Sequence, residues 1–279
     1  MVPTIFGFVR LCNFKINHKD VGHINGVPHL NNIFTNMKKI IIFLLLSSSL
    51  SAQYQYTKTQ RNLDFALAFG TAASASVSYQ KLYGIGKSDR FKIGWGVRLN
   101  TFFSGQKNYI TAPANLTSGT QSIVALFTEN IASNLDTLQL TKSALGSLNG
   151  KVVLQYSFRK LDVGFNIDAI GFSFGGKQSG KFVANESKSL NNSTQTAKPT
   201  PLNLLLISDS DIGSLNSELY FRYWVNDRFA VRVGASFQFL EYTTNKVLTF
   251  ENDRFRHKSL LPFVAITYSP FKKIYKDAG

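Results

Sequence analysis

The chain has 279 residues, 44% of them hydrophobic and 17% charged, with 24 Phe and 11 Tyr against 2 Met. That length permits a sizeable core, and the aromatic excess favours strands. A formal charge of +15 invites a nucleic-acid partner, but no run of five Lys or Arg occurs, so the charge reads as dispersed surface and that class is set aside.

Residues 1–36 hold the single cysteine, Cys12, together with His18, His23 and His29, and show no clear amphipathic period. They are expected to be a misassigned N-terminal extension. Residues 37–52 open with Met37, Lys38 and Lys39, continue as an apolar run from Ile40 to Leu46, and end in small residues at Ala52. That order is the pattern of a secretory signal peptide, with cleavage expected before Gln53. The apolar run falls far short of the roughly 20 residues of a transmembrane helix. Without Arg10, Lys15, Lys19, Lys38, Lys39 and Asp20, 26 basic and 15 acidic residues remain, with no cysteine and one histidine, His257. Disulfides and cysteine-based metal sites are excluded from residues 53–279, and no cofactor is expected.

From Gln53 onward the dominant signal has period two. Leu63, Phe65, Leu67 and Phe69 mark a first strand, and Ala75, Val77 and Tyr79 a second, alternating with Ser74, Ser76, Ser78 and Gln80. Phe91, Ile93, Trp95, Val97, Leu99, Thr101 and Phe103 form one face of a third, opposite Lys92, Gly94, Gly96, Arg98 and Asn100. The pattern returns in Val152 to Phe158 and in Leu161 to Ile167. It returns again in Leu219 to Val225, in Phe229 to Phe239, and from about Leu260 onward. About eight strands result.

Short links near residues 84–90, 159–160 and 226–227 alternate with long polar stretches at about 104–149, 175–214 and 240–258. Tight turns at one end and long loops at the other are the pattern of a transmembrane β-barrel. Aromatic residues gather near the strand ends. Tyr83, Phe91, Tyr156, Phe158, Tyr223, Trp224, Phe229, Tyr268 and Phe271 are expected in a periplasmic belt, and Phe102, Phe103, Phe172, Phe174, Phe237 and Phe239 in an outer one. Ile123, Phe127, Ile131, Leu135 and Leu138 recur at helical spacing in the first long loop, and Leu202 to Ile207 form an apolar run in the second. These are expected to fold over the barrel mouth or to meet a protein partner.

With the apolar faces toward lipid, the interior receives Asp64, Asn100, Arg159, Asn166 and Gln238 as well as the main charged set. That set is Lys92, Arg98, Asp162, Asp168, Glu218, Arg222 and Arg232. Buried charges need partners, so these seven are expected to form an ion-pair network that plugs or lines the lumen. Gly94 and Gly96 are expected to spare space there. Asp209 and Asp211 lack the further ligands of a calcium loop, and no metal site is expected.

Residues 53–279 resemble the small eight-stranded outer-membrane β-barrel proteins, the OmpA-type and porin-like class, without a periplasmic domain. The resemblance rests on strand pattern rather than a motif. It implies an all-β, antiparallel, up-and-down transmembrane barrel with long extracellular loops. The function it implies is non-enzymatic: envelope structure, surface interaction or limited small-solute passage. Its expected partners are outer-membrane lipids and a protein met by the extracellular loops. Two alternatives stand beside it. One is a lipid-modifying enzyme using His257, whose nearest polar companions Asp253 and Ser259 are sequence neighbours. The other is a soluble periplasmic barrel that turns its apolar faces inward around a hydrophobic ligand.

Overall fold

A computed structural model describes residues 54–117, 131–185, 190–206, 210–270 and 276–277. The signal segment, the N-terminal extension, Phe271, Asp209 and the apolar residues Ile123 and Phe127 lie outside the described residues.

Among the described residues, thirteen strands form one antiparallel sheet. They are β2 (Thr59–Phe69), β3 (Ala73–Ile85), β4 (Phe91–Ser104), β5 (Lys107–Thr111), β6 (Thr137–Leu140), β7 (Ser143–Phe158), β8 (Leu161–Phe174), β9 (Gln178–Val183), β10 (Thr194–Pro199), β11 (Leu202–Leu204), β12 (Leu215–Trp224), β13 (Phe229–Thr244) and β14 (Arg254–Tyr268). Two two-residue strands, β1 (Tyr54–Gln55) and β15 (Lys276–Asp277), stand outside it. The expectation of about eight strands is therefore corrected. The long stretches read as loops contribute β5, β6, β9, β10 and β11, and their short alternations are masked by the polar residues around them. Leu138, read at helical spacing, lies in β6.

The pairings close two circuits. The larger runs β2, β3, β4, β7, β8, β12, β13, β14 and back to β2. The smaller runs β13, β14, β5, β6, β9, β10 and back to β13. The rings share the β13–β14 hairpin. Its strands have 16 and 15 residues, and at ~3.3 Å per residue each reaches about 50 Å, well past an apolar layer of about 30 Å. The projecting halves carry the second ring.

Alternation fixes which side faces in. On β2, Leu63, Phe65, Leu67 and Phe69 are exposed while Asn62, Asp64, Ala66 and Ala68 are buried. On β8 the parity reverses partway. Asp162, Gly164, Asn166 and Asp168 point inward, whereas Ile170, Phe172 and Phe174 point outward. A bulge absorbs the extra residue, since Gly150 pairs with Ile170 and its neighbour Lys151 with Asp168.

The second ring encloses an apolar core. Tyr109, Leu138, Leu140, Phe182, Ala197, Leu240, Tyr242 and Phe255 are buried together, continuous with Phe102, Leu145, Leu261 and Phe263 at the top of the larger ring. Tyr109 donates to Ser143 Oγ at 2.8 Å and stacks edge-on against Tyr242, 5.2 Å between centroids. Leu202 and Leu204 instead form β11 against β8. Among the described pairings, β14 meets β2 only at residues 263–268 and β5 only at residues 255–256. The interval between is a seam in the wall, pinned by His257.

Candidate functional site

The interior of the larger ring is the most chemically dense part of the molecule. Arg98 projects from β4, Asp162 and Asp168 from β8, Glu218 and Arg222 from β12, and Arg232 from β13, each 2% exposed or less. They sit on inward positions because the outward positions of the same strands are apolar. Lys92 is equally buried near the hairpin end of β4.

Two linked clusters result. In the upper one, Arg98 reaches Asp168 at 3.0 Å and Glu218 at 2.9 Å, while Arg232 reaches Glu218 at 3.3 Å. Asp168 also accepts from Asn149 Nδ2 at 2.8 Å and from the Asn216 amide at 3.1 Å. In the lower one, Arg222 meets Asp64 at 3.3 Å and Asp162 at 3.9 Å, and donates to Gln155 and Thr267. Asp64 joins the two through Arg232 at 3.6 Å. The guanidinium carbons of Arg222 and Arg232 lie 5.0 and 4.8 Å from the Tyr220 ring. Arginine suits these places because its planar fork satisfies two acids at once.

Six of the seven expected residues thus join one network. Lys92 lies at the margin of it, donating to the Thr57 carbonyl and within electrostatic reach of Asp162. Sequence reasoning misses several members. Asp64 reads as lumenal, but not as the link between clusters. Lys151 donates to Ser78 Oγ at 2.9 Å, and its inward position follows from the β7 alternation carried one residue earlier. Tyr220 lies between exposed Leu219 and Phe221, so parity could have found it too. Glycine makes the room: a Cβ on Gly96 would lie 2.8 Å from Lys151 Cε, and one on Gly164 would lie 2.4 Å from Tyr220 Cζ.

Three other placements are corrected. Trp224, expected in a belt, is buried and donates from Nε1 to Asp162 Oδ2 at 2.6 Å. Phe102 also faces inward, because it shares parity with Arg98 and Asn100. Arg159, expected in the lumen, is exposed at the β7–β8 turn with φ of 39°.

Among the described residues, nine charges lie in this interior, five basic (Lys92, Arg98, Lys151, Arg222, Arg232) and four acidic (Asp64, Asp162, Asp168, Glu218). Seven of the nine are tied by direct ion pairs, while Lys92 and Lys151 donate to a carbonyl and a hydroxyl.

His257 belongs to β14 rather than a loop. Its Nδ1 donates to the Asn108 carbonyl at 3.0 Å, and its ring lies 5.5 Å from that of Tyr109. Burial holds its pKa below the ordinary imidazole value, and Lys107 adds to this against the opposing effect of the Asn108 carbonyl. The Ser259 hydroxyl is buried with no hydrogen-bond partner among the described residues. Asp211, half of the acidic pair considered for calcium, accepts the Leu206 amide within its own loop at 2.7 Å.

The fold and this interior define a closed antiparallel β-barrel that is apolar outside and charged inside. No family model matches the chain, and no curated relative matches it. Among solved structures, the chain is similar to Neisserial surface protein A at 10% identity, over 75% of this chain and 94% of that one, with a TM-score of 0.32. A major outer membrane protein from Thermus thermophilus matches at 10% identity over 76% of this chain and 100% of that one, TM-score 0.30. A Pseudomonas aeruginosa FadL homologue matches at 10% identity over 71% and 68%, TM-score 0.20. These superpositions are loose, and the chain's own geometry carries its reading.

Proposed function

We propose that the chain is a non-enzymatic outer-membrane β-barrel whose lumen is sealed and whose second ring is presented outside the cell. The carrying observation is the sorting of side chains. Phe65, Val77, Trp95, Leu99, Val233 and Ile266 stand 45–59% exposed on the outer wall, while the inward positions of the same strands are buried and mostly small or polar, with Asp64, Arg98 and Arg232 among them in ion pairs. A soluble barrel would reverse this arrangement, placing the apolar residues inside. In lipid the closed ring also leaves no strand edge unpaired along most of its wall.

The filled interior favours envelope structure and surface interaction over solute passage. The folded cap on β13 and β14 is the part such a protein would offer to a partner, and lipids are the partner of the wall. Fractionation, heat-modifiable gel migration and planar-bilayer recording test the reading together. It expects detergent-dependent extraction, a folded form that shifts on boiling, and no steady conductance. Recovery in the soluble fraction, or a stable open channel, contradicts it.

A further inference from the structure

The charges of the cap are sorted by sign. Its acids Asp136, Asp211 and Glu241 are buried. Asp136 accepts the Asn185 amide and the Thr249 hydroxyl, and Glu241 pairs with Arg254 and Arg256 at 2.8 and 2.9 Å. Lys142, Lys177, Lys181, Lys198, Lys246 and Lys258 are exposed. Among the described cap residues, the remaining acids are exposed Glu251 and half-buried Asp253, at the tip of the β13–β14 hairpin.

Four of the cap's lysines fall in the segments where strands of the larger ring give way to the second ring. Lys107 follows the top of β4, Lys142 precedes β7, Lys177 follows β8, and Lys258 lies on β14. Below them the wall carries exposed Phe103, Phe172 and Phe174, and the half-buried pair Phe237 and Phe239, 4.9 Å between centroids. Lys258 stands opposite Phe239 in the strand register and holds its Nζ 5.4 Å from that ring. The Arg256 guanidinium lies 5.6 Å from the same ring. Exposed lysines beside outward aromatic rings, as Lys258 is beside Phe239, match an amphiphile whose chains are apolar and whose headgroup is anionic.

We propose that Lys107, Lys142, Lys177 and Lys258 form a collar that binds the headgroup phosphates of an anionic outer-leaflet glycolipid. The aromatic belt packs its acyl chains. The inference rests on the reading of the wall as lipid-facing and the cap as outside. Burying Asp136, Asp211 and Glu241 removes three sources of the repulsion that an anionic headgroup would otherwise meet. The collar leaves the lumenal network untouched, so the two features are separable by mutation.

The experiment inserts the full barrel into nanodiscs doped with a diphosphorylated lipid A-type glycolipid or with its dephosphorylated counterpart. Co-purifying glycolipid is quantified by mass spectrometry. The wild type retains the phosphorylated form preferentially, and retention weakens roughly fivefold for each lysine changed to Gln. A variant altered at Lys58, Lys87 and Lys160, at the hairpin end, retains it like the wild type. Heat-modifiable migration checks the fold of each variant, and single K177Q and K258Q variants supply the readout if the quadruple variant does not fold. Equal retention of both glycolipids, or equal retention by the collar variants and the wild type, overturns the collar alone. Failure of the wild type to insert into nanodiscs overturns the membrane reading beneath it.

Discussion

Arg98 on β4 and Glu218 on β12 meet at 2.9 Å across the barrel interior, although three strand-to-strand steps separate them around the wall. Their contact depends on the ring being closed. Replacing Arg98 with Ala leaves Asp168 and Glu218 buried with a lost partner, and the expected cost is about 3–5 kcal/mol. Urea unfolding in lipid vesicles measures it. Addition of Glu218→Gln to the variant recovers part of that loss, whereas two independent contributions would simply add.

The buried side chains of the second ring are expected to make the cap a cooperative unit of its own, although its apolar core runs on into the larger ring. Phe182 is fully buried there, 6.0 Å from Phe255 between ring centroids. Phe182→Ala is expected to cost the cap about 3–5 kcal/mol. Limited proteolysis should then cut within β9 and β10 while the heat-modifiable barrel survives. Simultaneous loss of both would mean that the rings fold as one unit.

The seam along β14, where His257 reaches the Asn108 carbonyl of β5, is expected to carry the pH dependence. The folded pKa of His257 lies below the unfolded value of 6.5. Its contribution to closure is therefore complete above about pH 6.5 and is lost as pH falls through the lowered folded value. Hydrogen exchange of the β5 amides is the measurement. Protection should fall on acidification in the wild type, and the pH dependence should vanish in His257→Gln. Acid-insensitive protection in the wild type would remove His257 from this role.

Much of the larger ring is legible in the sequence because two environments alternate along each strand. Outward-facing Val231 and Val233 flank lumenal Arg232, so one residue of register decides the fate of every side chain. The same logic identifies Arg98, Asp168 and Glu218 as a buried set, but parity says nothing of height along the barrel, so it does not show that Lys92 sits at the margin, with Asp162 the network acid that acts on it. The cap is less legible. Its strands β5, β6, β9 and β10 have six residues or fewer, too few alternations to stand out from Thr, Asn, Gln and Lys. Their pairing also depends on the overhang of β13 and β14, which strand lengths alone do not announce. Trp224 misleads for a different reason: aromatic residues near strand ends suit the belt, but Trp224 also has an indole N–H that Asp162 accepts inside.

The outer wall responds to charge in its own way. Val233 is 47% exposed on β13, and an Arg there near the middle of the apolar layer is expected to cost about 2–4 kcal/mol in a lipid bilayer. The comparison that isolates lipid is the same substitution at Val247, 60% exposed in the cap hairpin, where the change should be within about 0.5 kcal/mol. Equilibrium folding into vesicles gives both numbers, and equal costs would argue against a lipid environment at Val233.

The most direct measurement of the central claim uses two adjacent residues of β3. Val77 is 49% exposed and Ser76 is buried at 8%, and residues 53–279 contain no cysteine to interfere. Val77→Cys and Ser76→Cys are expressed in intact cells and treated with a membrane-soluble thiol reagent and then with a charged, water-soluble one. An inside-out barrel predicts that position 77 reacts with the membrane-soluble reagent alone and that position 76 is protected from both until the protein is unfolded. Reaction of position 77 with the charged reagent in the folded protein would contradict the account.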